Sequence, residues 1–159
     1  MMPIDIIKAQ PEVWEILTSI FKSGRVGTAY CFSGPPGCGK EGMAVAFSGL
    51  INCENPKDFP ACECSSCLRF RTLQHEHFNL VVPLPTPTKK NKDDLDNRSV
   101  DHFTEELAKK RDNPFHKVRI PRATRITLPS IKKIKKSLYL KSALPGRKMA
   151  VFFDAELLG

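Results

Sequence analysis

A short segment rich in glycine and proline, Gly34-Pro-Pro-Gly-Cys-Gly-Lys40, constrains this chain more than any other feature. It fits the pattern G-x-x-x-x-G-K, in which glycines let successive backbone N–H groups converge on one phosphate group. The positive end of a following helix adds to the attraction, and the ammonium of Lys40 can reach the β- and γ-phosphates of a nucleotide. The pattern therefore predicts a phosphate loop formed by Gly34, Pro35, Pro36, Gly37, Cys38, Gly39 and Lys40. The alternative is an ordinary turn.

The residues on either side of this loop support the first interpretation. Residues 29–33 form a short, nearly all-apolar run bounded by glycines, which is typical of a buried parallel strand. Residues 41–51 have helical spacing, with Ala44, Phe47, Leu50 and Ile51 expected to face inward. A strand, a glycine-rich turn and a helix in this order are the opening of a nucleotide-binding α/β unit.

The rest of the chain predicts further helices and strands. A helix over 11–21 places Val13, Ile16, Leu17 and Ile20 on one face. The other predicted elements are a strand over 78–83, a loop over 83–98, a helix over 99–110, a basic amphipathic helix over 127–138 and a strand over 148–153. Together they favour an α/β fold with a doubly wound parallel sheet flanked by helices. Because the chain stops directly after its third clear strand, we expect residues 1–159 to be an incomplete domain.

Two positions depart from what a phosphate loop needs to hold Mg²⁺. Glu41 stands where a Ser or Thr hydroxyl normally binds the metal. The last strand ends in Phe153-Asp154-Ala155, and in the register that we favour Phe153 replaces the metal-binding Asp while Asp154 takes the catalytic position. Glu41 and Asp154 are therefore candidate, vestigial members of a nucleotide site. The alternative for Asp154 is an ordinary N-cap after a core strand.

Four of the six cysteines fall within fifteen residues, as Cys53, Cys62, Cys64 and Cys67. In a reducing compartment this clustering indicates a metal site rather than disulfides. Four thiolates suit tetrahedral Zn²⁺ in a closed, structural site, so the insert over 53–67 predicts structural zinc. Buried free thiols are the alternative, and His75 or His77 can replace one ligand. We expect Cys31 to pack in the core and Cys38 to be a tolerated small residue.

Charge and hydropathy restrict the class of protein. The net charge is +8, and residues 109–148 alone carry +13, which favours a polyanionic partner or a solvated basic face equally. A hydrophobic content of 41% excludes a disordered chain, and no apolar run is long enough to cross a bilayer. We therefore expect a soluble, cytoplasmic protein with no membrane partner.

These motifs together resemble the bacterial clamp loader of DNA polymerase III. The resemblance rests on Gly24-Arg25, the segments 29–40, 53–56, 62–67, 77–79, 126–131, 138–141 and 147–158, and it leaves out roughly 83–125. It is closest to the delta-prime subunit, with the gamma/tau subunit as the second choice. It implies an N-terminal AAA+ P-loop domain of RecA-like fold, in which 53–67 is a zinc-binding insert and 83–125 a loop and helix insertion.

The resemblance also implies a function. A delta-prime-like subunit helps to load the sliding clamp onto primed DNA, in a ring with gamma/tau and delta subunits near the nucleoid. Glu41 and Phe153 resemble the decayed motifs of delta-prime, so we expect ATP or ADP binding to be vestigial and no intrinsic ATPase activity. Two alternatives remain open: an active gamma/tau-type ATPase motor, and a zinc-containing module that binds nucleic acid through residues 109–148.

Overall fold

The computed structural model describes residues 2–85, 97–142 and 144–159, which form two compact units. The phosphate-loop unit comprises residues 2–75 together with Arg111–His116. The sheet unit comprises the described parts of Glu76–Lys110 and Lys117–Gly159. Each unit is considered by itself.

The phosphate-loop unit consists of four helices around one apolar core. They are α1 (Met2–Ala9), α2 (Pro11–Lys22), α3 (Lys40–Ile51) and α4 (Ser65–Arg71), with a short 3₁₀ turn at Pro56–Asp58. The core residues are Ile6, Leu17, Met43, Ala46, Phe47 and Leu50. Of the four positions of α3 predicted to face inward, Phe47 and Leu50 are buried, whereas Ala44 and Ile51 are only partly buried. Helix α3 is nevertheless buried on nearly every side.

The predicted helix over 11–21 is confirmed, but its buried face is different. Leu17 is buried as expected, and Trp14 and Phe21 pack beside it against the core. Ile16 is 62% exposed and Val13 is also exposed. Both sets of positions have helical spacing and share Leu17, so the pattern alone did not separate them.

The predicted strand over 29–33 is wrong, since this segment has no regular secondary structure. An apolar run becomes a strand only where a neighbouring strand completes its ladder of hydrogen bonds, and the described part of this unit contains no strand. Tyr30 instead packs edge-on against Phe47, with ring centroids 5.2 Å apart, while its hydroxyl accepts a hydrogen bond from the Gly27 N–H. Cys31 is exposed, which also contradicts the expectation that it packs in the core.

The sheet unit contains the two other predicted strands, β1 (Phe78–Val81) and β2 (Met149–Phe152). They pair in parallel, with Phe78 opposite Met149 and Val81 opposite Phe152. The predicted fold class is thus confirmed in part: the described residues combine helices with a small parallel sheet of two strands, rather than the larger doubly wound sheet that the sequence predicts. Beyond the strands, Leu84 forms an antiparallel bridge with Arg125, and Ile126 forms a parallel bridge with Leu158.

Two helices complete the sheet unit. Helix α5 (Asn97–Asp112) confirms the helix predicted over 99–110, whereas the predicted loop over 83–98 falls mostly outside the described residues. Helix α6 (Leu128–Tyr139) turns Ile131 and Ile134 partly inward and exposes Lys132, Lys133, Lys135 and Lys136, as its pattern predicts. Leu138, which the same pattern places on the inward side, is 38% exposed. Ser137 binds the sheet through the Asn79 side chain, its Oγ donating to Oδ1 at 2.8 Å.

The packing of α1 and α2 can be tested with two isoleucines. Ile6 has no exposed surface, so Ile6→Ala should lower the free energy of unfolding by roughly 2–5 kcal/mol. Ile16→Ala should change it by about 0.5 kcal/mol or less, because that side chain faces solvent. Urea unfolding of both variants measures the difference. Equal losses would contradict the observed orientation of α2.

Candidate functional site

The phosphate loop forms a tight turn that leads directly into α3. The Cys38 N–H donates to the Pro35 carbonyl at 3.4 Å, and the loop from Gly34 to Gly37 is exposed on its outer side. Gly37 and Gly39 have φ of 79° and 86°, a region that residues with a Cβ rarely adopt. Both glycines are therefore required by the backbone conformation of the loop.

Gly39 is also required for packing, because it lies directly against α1 and the 111–116 segment. A Cβ at this position would lie 2.1 Å from Ile6 Cδ1 and 3.0 Å from a ring carbon of Phe115. The Gln10 side chain adds a second link, since its Nε2 donates to the Cys38 carbonyl at 3.1 Å. Gln10 was not predicted from the sequence, because a lone polar residue between two helices belongs to no motif.

Lys40 is the first residue of α3 and folds back over the loop. Its Nζ donates to the carbonyls of Gly34 at 3.3 Å and Pro35 at 3.5 Å. The ammonium thus lies within the turn that the motif forms around a phosphate, beside the first N–H groups of α3, which have no partner within the helix. This arrangement can bind an anion at the start of the helix.

Glu41 lies in the first turn of the same helix and is half-buried. A carboxylate at a helix N-terminus favours the helix through the macrodipole. The same negative charge opposes a phosphate that approaches this helix end, and a carboxylate cannot reproduce a neutral hydroxyl ligand.

Asp154 belongs to the sheet unit, directly after β2. It adopts the left-handed conformation, with φ of 53° and ψ of 53°, and stands at the N-cap of a 3₁₀ turn, Ala155–Leu157. The N-cap alternative is therefore confirmed for the position of Asp154. It is wrong for the side chain, which makes no capping hydrogen bond. Instead, Asp154 Oδ1 lies 2.8 Å from Lys117 Nζ. No sequence motif indicates Lys117, which lies 37 positions away.

The four clustered cysteines come together in the phosphate-loop unit. Cys53 follows the end of α3, Cys64 is the N-cap of α4 and Cys67 lies inside α4. The four Sγ atoms, including that of Cys62, lie within 4.8 Å of one another, and those of Cys53 and Cys67 are 3.4 Å apart. Within the described residues this group can hold a metal ion.

Hydrogen bonds around the cluster fix the direction of its thiols. Cys64 Sγ accepts from the Cys67 N–H at 3.4 Å, and Cys62 Sγ accepts from the Cys64 N–H at 3.5 Å. Glu54 Oε1 accepts from Ser65 Oγ at 2.7 Å and so ties the two ends of the insert together. Such second-layer contacts orient metal ligands in general.

The two nearby histidines have other roles. His75 Nε2 is hydrogen-bonded to Ser66 Oγ at 3.0 Å, and its ring stacks on Phe70 with centroids 4.3 Å apart. His77 is buried in the sheet unit, where Nε2 is 2.8 Å from Ser142 Oγ. Neither belongs to the group of potential metal ligands among the described residues, so the alternative in which a histidine replaces one thiolate is not supported.

Burial and hydrogen bonds act on the protonation of three of these thiols. Desolvation raises the pKa of Cys53 to about 12, and it raises the pKa of Cys67 further. Desolvation acts in the same direction on Cys64, but hydrogen bonds from the Cys67 and Glu54 backbones outweigh it and lower the pKa to about 7. A metal must therefore displace protons from Cys53 and Cys67 at neutral pH.

Comparison with known protein families gives a match over most of the chain. The model of a family described as "DNA polymerase III, delta subunit" matches residues 9–159. The chain belongs to this family. The predicted resemblance to DNA polymerase III subunits is confirmed at that level. Among residues 2–85, 97–142 and 144–159, moreover, no helix has the length and apolar character needed to cross a membrane.

Individual relatives match shorter segments of this DNA polymerase III family member. It is 36% identical over 62 residues to DNA polymerase III subunit tau of Bacillus subtilis (strain 168), covering 38% of this chain and 11% of that protein. It is 36% identical over 63 residues to DNA polymerase III subunit gamma/tau of Mycobacterium tuberculosis (strain ATCC 25618 / H37Rv), covering 39% and 11%. Protein STICHEL-like 4 of Arabidopsis thaliana is 30% identical over 73 residues, covering 45% and 8%. No solved structure matches.

The role of Gly39 can be tested against its neighbour Gly37. Gly37→Ala should cost about 1–2 kcal/mol of unfolding free energy, because its φ is left-handed while no atom lies within 4 Å of the new Cβ. Gly39→Ala should cost about 1–3 kcal/mol more, because its Cβ enters the fully buried side chain of Ile6. Urea unfolding measures both variants, and equal losses would contradict the close approach of the loop to α1.

Proposed function

We propose that this chain is the phosphate-loop part of a delta-prime-type clamp-loader subunit of DNA polymerase III, which helps to load the sliding clamp onto primed DNA without hydrolysing ATP. Its partners in this role are gamma/tau and delta subunits, with primer-template DNA bound by the assembled ring. One observation carries the proposal: a well-formed phosphate loop is combined with side chains that do not suit Mg²⁺.

The proposal rests first on the unsuitable ligands. Phosphoryl transfer in this class of ATPase needs a hydroxyl after the loop lysine and a carboxylate at the end of a neighbouring strand, both around Mg²⁺. Glu41 offers a charged carboxylate in place of the hydroxyl. Phe153 is apolar and 2% exposed, and Asp154 is paired with Lys117 at 2.8 Å. These residues do not fit a Mg²⁺ site, so we derive no hydrolytic step.

What the phosphate loop retains is the capacity to bind an anion. Its backbone N–H groups, the start of α3 and the Lys40 ammonium are the chemical elements that hold a nucleotide phosphate. We propose that they serve mainly to position α3 against α1, with ATP or ADP bound weakly against the opposing charge of Glu41.

We further propose that Cys53, Cys62, Cys64 and Cys67 hold one structural Zn²⁺ ion. Four soft sulfur ligands with no position left for water suit zinc in a structural site. The metal would join the end of α3 to α4 across the insert, beside the hydrogen bond from Ser66 Oγ to the Asn52 carbonyl at 2.7 Å and the packing of Phe59 and Phe70 around Gly49.

Two other functions have some support. The curated relatives that match are tau and gamma/tau proteins, which favours an active ATPase motor as the second candidate. The exposed lysines of α6 favour contact with a phosphate backbone, either within the ring or in a separate nucleic-acid-binding module.

ATP turnover separates the non-hydrolysing subunit from the motor. The full-length protein should show background ATP hydrolysis with and without primed DNA, and Glu41→Thr should not restore turnover, since Phe153 and the paired Asp154 still cannot hold Mg²⁺. Phosphate release is the measurement. Turnover by the wild type that Lys40→Ala abolishes would favour the gamma/tau-type motor and overturn our first proposal.

Metal analysis tests the zinc site. The purified protein should contain about one Zn²⁺ per chain, and Cys67→Ser should lose it because the closed shell then lacks a ligand. Cys31→Ser is the matched control, since Cys31 is exposed and stands outside the cluster. Elemental mass spectrometry measures the zinc content per chain of both variants, and equal contents would contradict the assignment.

The same site should respond to pH. Because Cys53 and Cys67 are protonated at neutral pH, Zn²⁺ binding should release at least those two protons and weaken as the solution becomes more acidic. Competition with a chelator at about pH 6 and about pH 8 measures this trend. Equal affinity at both would show that the thiols are not the ligands.

A further inference from the structure

The end of β2 shows how this chain accommodates the loss of a metal-binding carboxylate. Asp154 Oδ1 lies 2.8 Å from Lys117 Nζ, and only 11% of the Asp154 side chain is exposed. A partly buried carboxylate needs a compensating cation. In this structure an ammonium of the chain itself supplies that charge.

The backbone around Lys117 holds it in this position. Val118 and Ile120 are buried, so the residues between and beside them face outward. The Arg119 N–H donates to Glu106 Oε2 of α5 at 2.9 Å. Further along, the Ile126 N–H donates to the Leu157 carbonyl at 2.7 Å, which joins this segment to the turn after β2.

A second lysine of the same insertion, Lys110 of α5, lies beside Phe153, the residue that precedes Asp154. It is 1% exposed, and its Nζ is 5.3 Å from the centroid of the Phe153 ring. An ammonium over an aromatic face is attracted to the ring quadrupole, more strongly when it is desolvated. The two residues that follow β2 therefore each have a lysine of the insertion beside them: Lys110 beside Phe153, and Lys117 beside Asp154.

The surrounding groove is positively charged. It has a volume of about 340 Å³ and lies at the carboxyl ends of both strands, where it is lined by Val82 and Pro83 after β1 and by Asp154 after β2. Lys117 and Arg119 line the same groove. Two cationic side chains for one carboxylate oppose the entry of a divalent cation.

We propose that the Lys117 ammonium takes the place of a divalent cation beside Asp154, the carboxylate that remains at the end of β2, and that the described residues 97–125 of the insertion deliver it. Lys110 stabilises the same strand end through Phe153. This inference deepens the proposed function and rests on it, because it gives the absence of ATP hydrolysis a structural cause within the sheet unit. It also gives the insertion a role that the family resemblance leaves unexplained.

Removal of the ammonium should create a cation site. In full-length protein without nucleotide, Lys117→Met should lower the thermal midpoint and should tighten Mn²⁺ binding by about tenfold or more relative to wild type, because Asp154 loses its cation. Electron paramagnetic resonance of free Mn²⁺ measures binding. Lys132→Met, on the exposed side of α6, is the control and should match wild type. Lys117→Met combined with Asp154→Asn should bind no more Mn²⁺ than wild type.

The outcomes separate this inference from the proposed function. It is overturned if Lys117→Met binds Mn²⁺ no better than wild type, or if wild type already has a Mn²⁺ site that Asp154→Asn removes. If Lys117→Met does not fold without metal, Lys117→Gln is tested in its place, and both variants are refolded in the presence of Mn²⁺. Failure of Mn²⁺ to restore the folded state of either variant also overturns the inference. The assay contains no nucleotide, so ATP turnover by the wild type would overturn only the proposed function.

Discussion

The contact between the Gly39 backbone and the Ile6 side chain is the constraint on which the phosphate-loop unit depends. A Cβ at Gly39 would lie 2.1 Å from Ile6 Cδ1, so α3 can begin this close to α1 only with glycine at that position. The same glycine gives the loop its left-handed turn and places Lys40 at the first position of the helix. The loop is thus a packing element of the core as well as a potential anion site, so its shape would be kept in the non-hydrolysing subunit that we propose.

The two units differ in their suitability for binding a metal ion. In the phosphate-loop unit, four thiols converge within 4.8 Å and suit a soft metal ion. In the sheet unit, Phe153 stands where a carboxylate would bind Mg²⁺, and the carboxylate that remains beside it, Asp154, is paired with Lys117. We infer that the protein keeps a metal where it supports the fold and uses its own ammonium where an ATPase would use a metal. This combination agrees with the non-hydrolysing subunit that we propose.

Much of this could be predicted from local patterns, because periodicity and motifs report on neighbours in sequence. Helices α2, α3 and α6, both strands and the cysteine cluster follow from such patterns. The strand predicted over 29–33 did not form because strand formation depends on a partner that the segment itself cannot specify. The exposure of Ile16 and the Lys117–Asp154 pair depend on tertiary packing and on residues far apart in sequence, which no short pattern encodes.

The central claim is that the phosphate loop has been retained without a means of holding magnesium. Calorimetric titration of the full-length protein with ATP, once with Mg²⁺ and once with EDTA, tests it most directly. The account predicts that the metal makes no difference to the affinity, because Glu41, Phe153 and the paired Asp154 offer it no site. A tightening of about tenfold or more by Mg²⁺ would contradict the account.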